Sequence, residues 1–354
     1  MFEAINEGSG MHTIELKLDV TSAVELPGRT EIAVTVTLPD AAHLGMNPIV
    51  CFAKPGGGYA RGYYTLDLPG PGTGMSQAAW HASRGWIFVA LDPLGVGDST
   101  FEGSQMLNYN STQVTAAANE AERQVMTLLQ EGTLISGFPV VSDPVVIGMG
   151  QSAGGCYTIA QQGRFHAYDG IAILGYSPFQ TVVPARPGRP PLHGSWIPRD
   201  YSLTAGVVTN AAMLAGLPAK MGTPEAYEDM AWAFHWDDMD ADVVRADIED
   251  SPARHGNLPQ WASATSPGMI GYALGPGNFA AEAASITAPV LVAMGERDVV
   301  ADPRGEIRSY LSSSSVDFYV CPRMAHMHNF ASTRQLFWAR IDIWAQWVRI
   351  FKLG

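Results

Sequence analysis

The chain has 354 residues, of which 47% are hydrophobic and only 16% charged, so it can bury a sizeable core and is unlike a disordered protein. Its net charge of -13 repels phosphate backbones and anionic lipid surfaces, so neither nucleic acid nor a membrane is an expected partner. Three scattered cysteines do not make a disulfide framework, and no segment is apolar enough for a signal peptide or a membrane span. We therefore expect a cytoplasmic protein.

The predicted strands begin with an antiparallel pair and continue as buried runs. Residues 12–20 and 30–38 alternate apolar and polar side chains around a turn at Pro27 and Gly28, which is typical of an antiparallel pair. Six later runs are continuously apolar, as strands covered on both faces must be, and they span residues 48–53, 86–91, 145–149, 170–174, 289–294 and 316–321. Helical patterns span residues 112–130, 153–162 and 335–352. This order predicts an α/β protein with a mostly parallel eight-stranded sheet flanked by helices.

One long segment interrupts the alternation of strands and helices. Between the sixth and seventh strands, residues 178–287 contain no buried-strand run but have helix-like stretches near 203–217 and 224–247. We expect a helical cap at 178–287, inserted into a core formed by residues 1–177 and 288–354. The acidic stretch at 237–250 is spaced somewhat like a calcium loop but lacks the glycine of its turn, so we interpret it as a solvated helix face.

A candidate nucleophile lies where the fifth strand runs into a helix. Residues 150–154 read Gly-Gln-Ser-Ala-Gly, with Ser152 at the centre. A sharp strand-to-helix turn strains its central residue, needs small neighbours, and projects the central hydroxyl above the sheet edge. The pattern therefore favours Ser152 as a nucleophile.

The same string also satisfies a relaxed dinucleotide fingerprint through Gly148, Gly150 and Ala153. A dinucleotide site needs an acidic residue at the carboxyl end of the next strand, where it meets the ribose hydroxyls. Asp169 has the right separation along the chain, but it precedes that strand and so belongs to the opposite sheet edge. The nucleophile is the favoured interpretation.

A serine nucleophile needs a base and an acid that orients the base. Asp298 follows the end of the seventh strand and is the favoured acid, with Glu296 and Asp302 as substitutes. His326 is the first histidine after the eighth strand and is the favoured base, while His328 has a supporting or structural part. The His-x-His pair also suits a metal, but no cysteine or acid lies close enough along the chain to complete a site, so none is expected.

The loop at 55–59 reads Pro-Gly-Gly-Gly-Tyr and follows the third strand. A loop without side chains lets backbone N–H groups face a ligand, although a plain flexible turn is the alternative. Gly57 and Gly58, together with the N–H of Ala153, are the expected oxyanion donors, and the choice among residues 56–58 stays open. Tyr59 and Gln151 flank these donors and are expected to contact substrate.

This arrangement resembles the α/β-hydrolase superfamily, and within it the cap-bearing serine hydrolases. The resemblance covers nearly the whole chain, from the glycine-rich loop through the Gly-Gln-Ser-Ala-Gly turn and the insertion to the acid and the histidine. It implies the α/β-hydrolase fold, with Ser152 as nucleophile, His326 as base and Asp298 as orienting acid. Pro55 departs from the His-Gly-Gly-Gly esterases, which have histidine at that position.

The expected reaction is acyl transfer to water, because serine rather than aspartate stands at position 152. The cap is rich in Trp and Met, so a hydrophobic small molecule is the expected substrate, with Trp232 and Trp236 among its contacts. We expect a cofactor-independent esterase or lactonase. A carbon-carbon bond hydrolase, an acyltransferase and a non-catalytic receptor of the same fold are the alternatives.

The C-terminal helix is more apolar than a surface helix requires, so it is deeply packed or forms a homodimer contact.

Overall fold

The computed structural model describes residues 4–6, 10–71, 74–100, 109–194, 196, 224–248 and 258–354. The strands in chain order are β1 (Ala4–Asn6), β2 (His12–Asp19), β3 (Glu31–Leu38), β4 (Ile49–Lys54), β5 (Ile87–Leu91), β6 (Val145–Gln151), β7 (Gly170–Leu174), β8 (Val182–Val183), β9 (Leu192–His193), β10 (Val290–Gly295) and β11 (Val316–Cys321). The helices are α1 (Gly62–Thr65), α2 (Gln77–Ala82), α3 (Ser111–Glu131), α4 (Ala153–Phe165), α5 (Pro224–Phe234), α6 (Ala241–Ile248), α7 (Ile270–Ala273), α8 (Ala280–Ser285) and α9 (Arg334–Leu353).

In the described residues, one sheet has the order β1-β2-β3-β5-β4-β6-β7-β10-β11, and β8 pairs with β9 in a small separate sheet. All eight predicted strands are confirmed, and the short β1 adds a ninth at the edge. The strands from β5 to β11 in this order run parallel, whereas β1, β2 and β3 pair antiparallel with their neighbours. Every residue of β4, β5, β7 and β10 is buried, as helices on both faces require.

Two apolar clusters cover the two faces of the sheet. One cluster contains buried residues of α3 and α4, and α8 packs against α4 on the same face. The other contains buried residues of α9, which contacts α2. The parallel strands between these layers all point their carboxyl ends to one edge, which is where the loops of the site meet.

The C-terminal helix α9 is both packed and exposed. Its inner stripe is buried and comprises Phe337, Trp338, Ile341, Trp344 and Val348. Its outer apolar residues are exposed and comprise Leu336, Ile343, Trp347, Ile350 and Phe351. The helix is therefore anchored on the core while it presents a second, uncovered apolar face.

The helical cap follows β7, the sixth of the predicted strands. The predicted helical stretch at 203–217 lies outside the described residues, and the stretch at 224–247 forms the two helices α5 and α6. Its acidic residues differ in exposure, because Asp237 and Asp242 are exposed whereas Asp247 is fully buried. Among the helices that the structure describes, none has the length and apolar character to cross a membrane.

Candidate active site

The turn between β6 and α4 holds Ser152 in a strained conformation. Its φ of 52° and ψ of -123° lie outside the regions that a residue with a side chain usually adopts. A Cβ placed on Gly150 would lie 2.0 Å from the carbonyl oxygen of Gly154, and one on Gly154 would lie 2.0 Å from that of Lys54. Only glycine fits at both positions, and the turn has the geometry of a nucleophile elbow.

Asp298 and His326 meet at the same sheet edge. The Nδ1 atom of His326 lies 2.6 Å from Oδ1 of Asp298, and both side chains are buried. The carboxylate also accepts hydrogen bonds from the backbone N–H groups of Gly295 and Val299. Burial by itself would raise the pKa of Asp298, but its two histidine neighbours hold that pKa well below the usual range. The acid is therefore ionised and oriented by several donors.

His328 is the second of those neighbours. Its Nε2 atom lies 2.7 Å from Oδ2 of Asp298, so it donates an N–H to the other carboxylate oxygen. Burial lowers the pKa of His328, which makes it a neutral donor, and its Nδ1 atom has no hydrogen-bond partner in the described part of the chain. Asp298, His326 and His328 thus place three potential metal-ligating atoms within 4.8 Å of one another. Tertiary folding supplies the acid that the local sequence around the histidine pair lacks.

The two substitute acids lie elsewhere in their loop. Glu296 accepts a hydrogen bond from the backbone N–H of Arg323. Asp302 accepts one from the backbone N–H of Gly305 and another from the Arg308 guanidinium. Within the described structure neither makes a hydrogen bond with His326, so the geometry favours Asp298.

Gln151 connects the base to the elbow. Its Nε2 atom donates to the backbone oxygen of His326 at 3.0 Å and lies 3.4 Å from the Nε2 atom of the same histidine. Its Oε1 atom is buried without a hydrogen-bond partner among the described residues. In those residues no hydrogen bond joins the Ser152 hydroxyl to His326. Catalytic hydrogen bonds often tighten only when substrate is bound, so this geometry does not exclude Ser152 and His326 as a nucleophile and its base.

The glycine-rich loop lies directly over the elbow. A Cβ on Gly56 would come within 3.1 Å of the Ser152 Cβ, and one on Gly57 within 3.9 Å of the Ala153 Cβ. The N–H of Gly58 points to the Ser266 hydroxyl at 3.4 Å. The N–H groups of Gly57 and Ala153 make no hydrogen bond within the described residues, so they are free to bind an oxyanion. The geometry favours Gly57 over Gly58 as a donor.

Three predicted substrate contacts have other neighbours. The Tyr59 hydroxyl donates to Asp247 at 2.8 Å. The rings of Trp232 and Trp236 stack on the guanidinium of Arg297, at 4.0 and 4.6 Å from its central carbon. These two rings also line a cavity of about 550 Å³, and Ser152 is not part of its wall. The tryptophans therefore lie beside the residue that precedes Asp298 rather than at the serine.

Phe234 packs against His326, and no pattern in the sequence marked it as a site residue. The Phe234 ring lies 5.0 Å from the His326 ring, and the backbone oxygen of Phe234 accepts a hydrogen bond from the N–H of Met327. The end of α5 thus rests on the loop that carries the base. Nothing in the sequence separates this phenylalanine from one in the core.

The sheet order, the elbow and the loops at its edge define the α/β-hydrolase fold. No family model matches the sequence, and no curated protein matches it. Among solved structures, the chain is similar to a proline iminopeptidase from Mycobacterium smegmatis, with 18% identity, a TM-score of 0.56 and coverage of 96% of this chain and 99% of that one. It is similar to an esterase from Thermogutta terrifontis, with 15% identity, a TM-score of 0.51 and coverage of 94% and 98%. It is also similar to an enol-lactonase from Burkholderia xenovorans, with 15% identity, a TM-score of 0.52 and coverage of 92% and 97%. At such identities the likeness shows the fold alone.

Proposed function

We propose that this chain is a serine hydrolase that cleaves a carboxylic ester or lactone of a hydrophobic small molecule. The observation that carries the proposal is the strained Ser152 turn, whose preceding residue Gln151 contacts His326 of the buried pair of Asp298 and His326. An esterase and an enol-lactonase among proteins of the same fold are consistent with this reaction, and a peptidase among them shows that the fold serves other acyl groups too.

The tautomer of His326 follows from its hydrogen bond. Because Nδ1 carries the proton that it donates to Asp298, Nε2 carries the lone pair that can accept a proton. Gln151 Nε2 occupies the space next to that lone pair at 3.4 Å. In our proposal this weak contact is replaced by the Ser152 hydroxyl when substrate binds.

The first half of the reaction forms an acyl-enzyme. Ser152 Oγ attacks the carbonyl carbon while its proton moves to Nε2 of His326, and the carbonyl electrons move to the oxygen. That oxyanion accepts hydrogen bonds from the N–H groups of Gly57 and Ala153. The intermediate then expels the alcohol oxygen, which takes the proton from His326.

The second half repeats these steps with water. His326 removes a proton from water, the hydroxide attacks the acyl carbon, and the bond to Ser152 Oγ breaks as the serine recovers its proton. The products are the free enzyme and a carboxylic acid. In each half the imidazolium forms against Asp298, whose ionised state is maintained over the working pH range because its pKa is held low.

The surroundings of the site support an apolar substrate. Phe234 covers the base, and the Ile270 side chain reaches to within 2.4 Å of where a Cβ on Gly57 would lie. In our proposal residues 178–287 act as the cap over a core of residues 1–177 and 288–354. The end of the cap packs firmly on the core, since Met269, Ile270 and Phe279 belong to the core cluster on the α4 face.

A fluorophosphonate probe followed by intact-mass and peptide analysis tests this proposal. We expect one label at Ser152, lost in Ser152→Ala and His326→Ala. Ser285→Ala removes an exposed serine of α8 and is the matched control, which should label like the wild type. Labelling that survives Ser152→Ala, or no labelling of folded wild-type protein, would refute the assignment, and the latter would favour a receptor.

Substrate class is tested with esters, lactones, thioesters and β-diketones of matched acyl chain length. Hydrolysis of the oxygen esters or lactones at the highest kcat/KM is the expected result. Faster cleavage of the diketone would make the protein a carbon-carbon bond hydrolase. Transfer of the acyl group to an added alcohol or amine in place of water would make the protein an acyltransferase.

A further inference from the structure

A second buried polar cluster lies behind the glycine-rich loop, and it is centred on Asp247 of α6. One carboxylate oxygen accepts hydrogen bonds from the Tyr59 hydroxyl at 2.8 Å and from Nε2 of His235 at 2.9 Å. The other accepts one from the Trp261 indole N–H at 3.0 Å. The side chains of Asp247 and His235 are 0% and 1% exposed, and the reaction proposed above uses neither of them. We call these four residues the Asp247 cluster.

The donors of this cluster come from separate segments of the chain. Tyr59 belongs to the glycine-rich loop, His235 follows α5, and Trp261 precedes α7. A buried carboxylate is costly unless donors satisfy it, and a donor withdrawn from it leaves a charge without compensation. The carboxylate of Asp247 therefore holds the three segments in one arrangement.

Two of these segments continue directly into the site. The carbonyl oxygen of Gly58 accepts a hydrogen bond from Ser263 N–H at 2.8 Å, and the N–H of Ala60 donates to the Trp261 carbonyl oxygen at 2.9 Å. Tyr59 is thus fixed through its side chain while the residues on both sides of it are fixed through their backbones. This leaves the preceding N–H of Gly57 in a constrained position above the elbow.

The third segment touches the acid loop and the base. The backbone oxygen of His235 accepts a hydrogen bond from Arg297 at 2.7 Å, and Arg297 immediately precedes Asp298. The neighbouring Phe234 packs its ring on His326. His235 therefore lies between the Asp247 carboxylate and the loops that carry Asp298 and His326.

We propose that the Asp247 cluster positions the oxyanion loop, so that Tyr59, His235 and Asp247 act as positioning residues for acyl transfer rather than as substrate contacts. The inference rests on the proposed function, because it assigns these residues to the oxyanion of that reaction. Stabilisation of an oxyanion depends on donors that are already in place, and loss of one donor typically reduces kcat by about 10²- to 10³-fold. A variant that loosens the loop but keeps its N–H donors should reduce kcat by a smaller factor.

The decisive variant is Tyr59→Phe, which deletes the hydroxyl and keeps the ring on its edge-to-face contact with Tyr63. We expect kcat per titrated active site to fall roughly 10- to 100-fold while KM changes less than about twofold. Affinity for a trifluoromethyl ketone, which forms an oxyanion on Ser152, should fall by a similar factor. Affinity for the corresponding unreactive alcohol should not change.

Tyr168→Phe is the matched control. Its hydroxyl also donates to a buried carboxylate, Glu122, and Lys54, which donates to the same hydroxyl, keeps its ion pair with Glu122 when that hydroxyl is removed. We expect this variant to lower the melting temperature by an amount similar to that of Tyr59→Phe, yet to keep the wild-type kcat and ketone affinity. If both variants lose activity only in proportion to lost folded protein, the Asp247 cluster is structural and the proposal is wrong.

Hydrogen–deuterium exchange tests the same inference without any turnover. Amides of residues 56–60 should exchange faster in Tyr59→Phe, and in the second variant Trp261→Phe, than in the wild type or in Tyr168→Phe. Unchanged exchange in that loop would overturn the positioning role. Failure of the wild type to react with a fluorophosphonate would instead refute the proposed hydrolase, so the two failures are distinguishable.

Discussion

Replacement of Asp298 by asparagine tests the charge at the centre of the site. Each carboxylate oxygen accepts two hydrogen bonds in the native structure. Oδ1 accepts from His326 at 2.6 Å and from Val299 N–H at 2.7 Å, while Oδ2 accepts from His328 at 2.7 Å and from Gly295 N–H at 2.8 Å. The amide of Asp298→Asn must turn its NH₂ group toward one of these two pairs of donors.

The effect of placing this NH₂ group among donors depends on His328, because that histidine can change its tautomer. If the NH₂ group replaces Oδ2, His328 can move its proton from Nε2 to Nδ1, which has no hydrogen-bond partner among the described residues, and accept the new hydrogen bond. His326 then keeps its productive tautomer, and only the Gly295 N–H faces another donor. In the opposite orientation His326 itself must change tautomer, and its Nε2 can no longer accept a proton from Ser152. Either orientation leaves one buried N–H unsatisfied, at a cost of about 1–3 kcal/mol in stability.

The loss in rate comes mainly from the missing charge. An imidazolium and a carboxylate whose charge centres lie about 4 Å apart attract by about 4 kcal/mol at an effective dielectric constant of about 20. Since about 1.4 kcal/mol corresponds to a factor of ten, kcat should fall roughly 10³-fold. This is less than the roughly 10⁴-fold loss known when such a substitution traps the base in the wrong tautomer.

The assay is kcat on an activated ester, expressed per folded protein, with thermal unfolding measured in parallel. Asp302→Asn is the control, because Asp302 is an exposed acid of the same loop that makes no hydrogen bond with the base in the described structure. A wild-type kcat in Asp298→Asn, or an equal loss in Asp302→Asn, would refute the assignment of the orienting acid.

Two further predictions concern stability. Burial raises the pKa of Glu306 to about 7, above its usual 4.5, even though Ser177 donates a hydrogen bond to it. The folded state therefore holds this proton more tightly than the unfolded state, so the free energy of unfolding should decline by up to about 3 kcal/mol as pH rises from about 4.5 to about 7. Glu306→Gln should flatten the pH dependence of the melting temperature over that range, and an unchanged slope would contradict the argument. Gly154→Ala should lower stability by more than about 2 kcal/mol in denaturant unfolding, because its Cβ would meet the Lys54 carbonyl oxygen at 2.0 Å. Gly45→Ala has no atom within 4 Å of the new Cβ and should change stability by less than about 1 kcal/mol, so similar losses in both variants would count against the steric reason.

The fold was predictable because its signals are local. Continuous apolar runs mark strands that are covered on both faces, and the predicted helices at 112–130, 153–162 and 335–352 are present as α3, α4 and α9. The elbow is a local feature as well, since small residues around Ser152 reflect the tight turn that they occupy. Such patterns depend on backbone preference and on periodic burial, which neighbouring residues determine.

The partners of the predicted site residues were less predictable. The sequence offered two histidines and three acids, and only packing shows that Asp298 lies between both imidazoles. Asp247 lies in a stretch of mostly exposed acids and looks like another surface residue until Tyr59 is seen to reach it. Trp232 and Trp236 were expected to contact substrate, and their place against Arg297 depends on how the cap meets the core.

Composition and local pattern alone determined the α/β architecture, the strand-to-helix turn at Ser152 and the class of chemistry to look for. Tertiary structure alone decided that Asp298 has two imidazole donors, that Gly57 rather than Gly58 has an N–H without a partner among the described residues, and that Asp247 joins the cap to the glycine-rich loop. The physical reason is that hydrogen bonds between distant segments depend on side-chain packing at angstrom scale. Hydrophobic periodicity specifies which face of an element is buried, but not which polar atoms meet there.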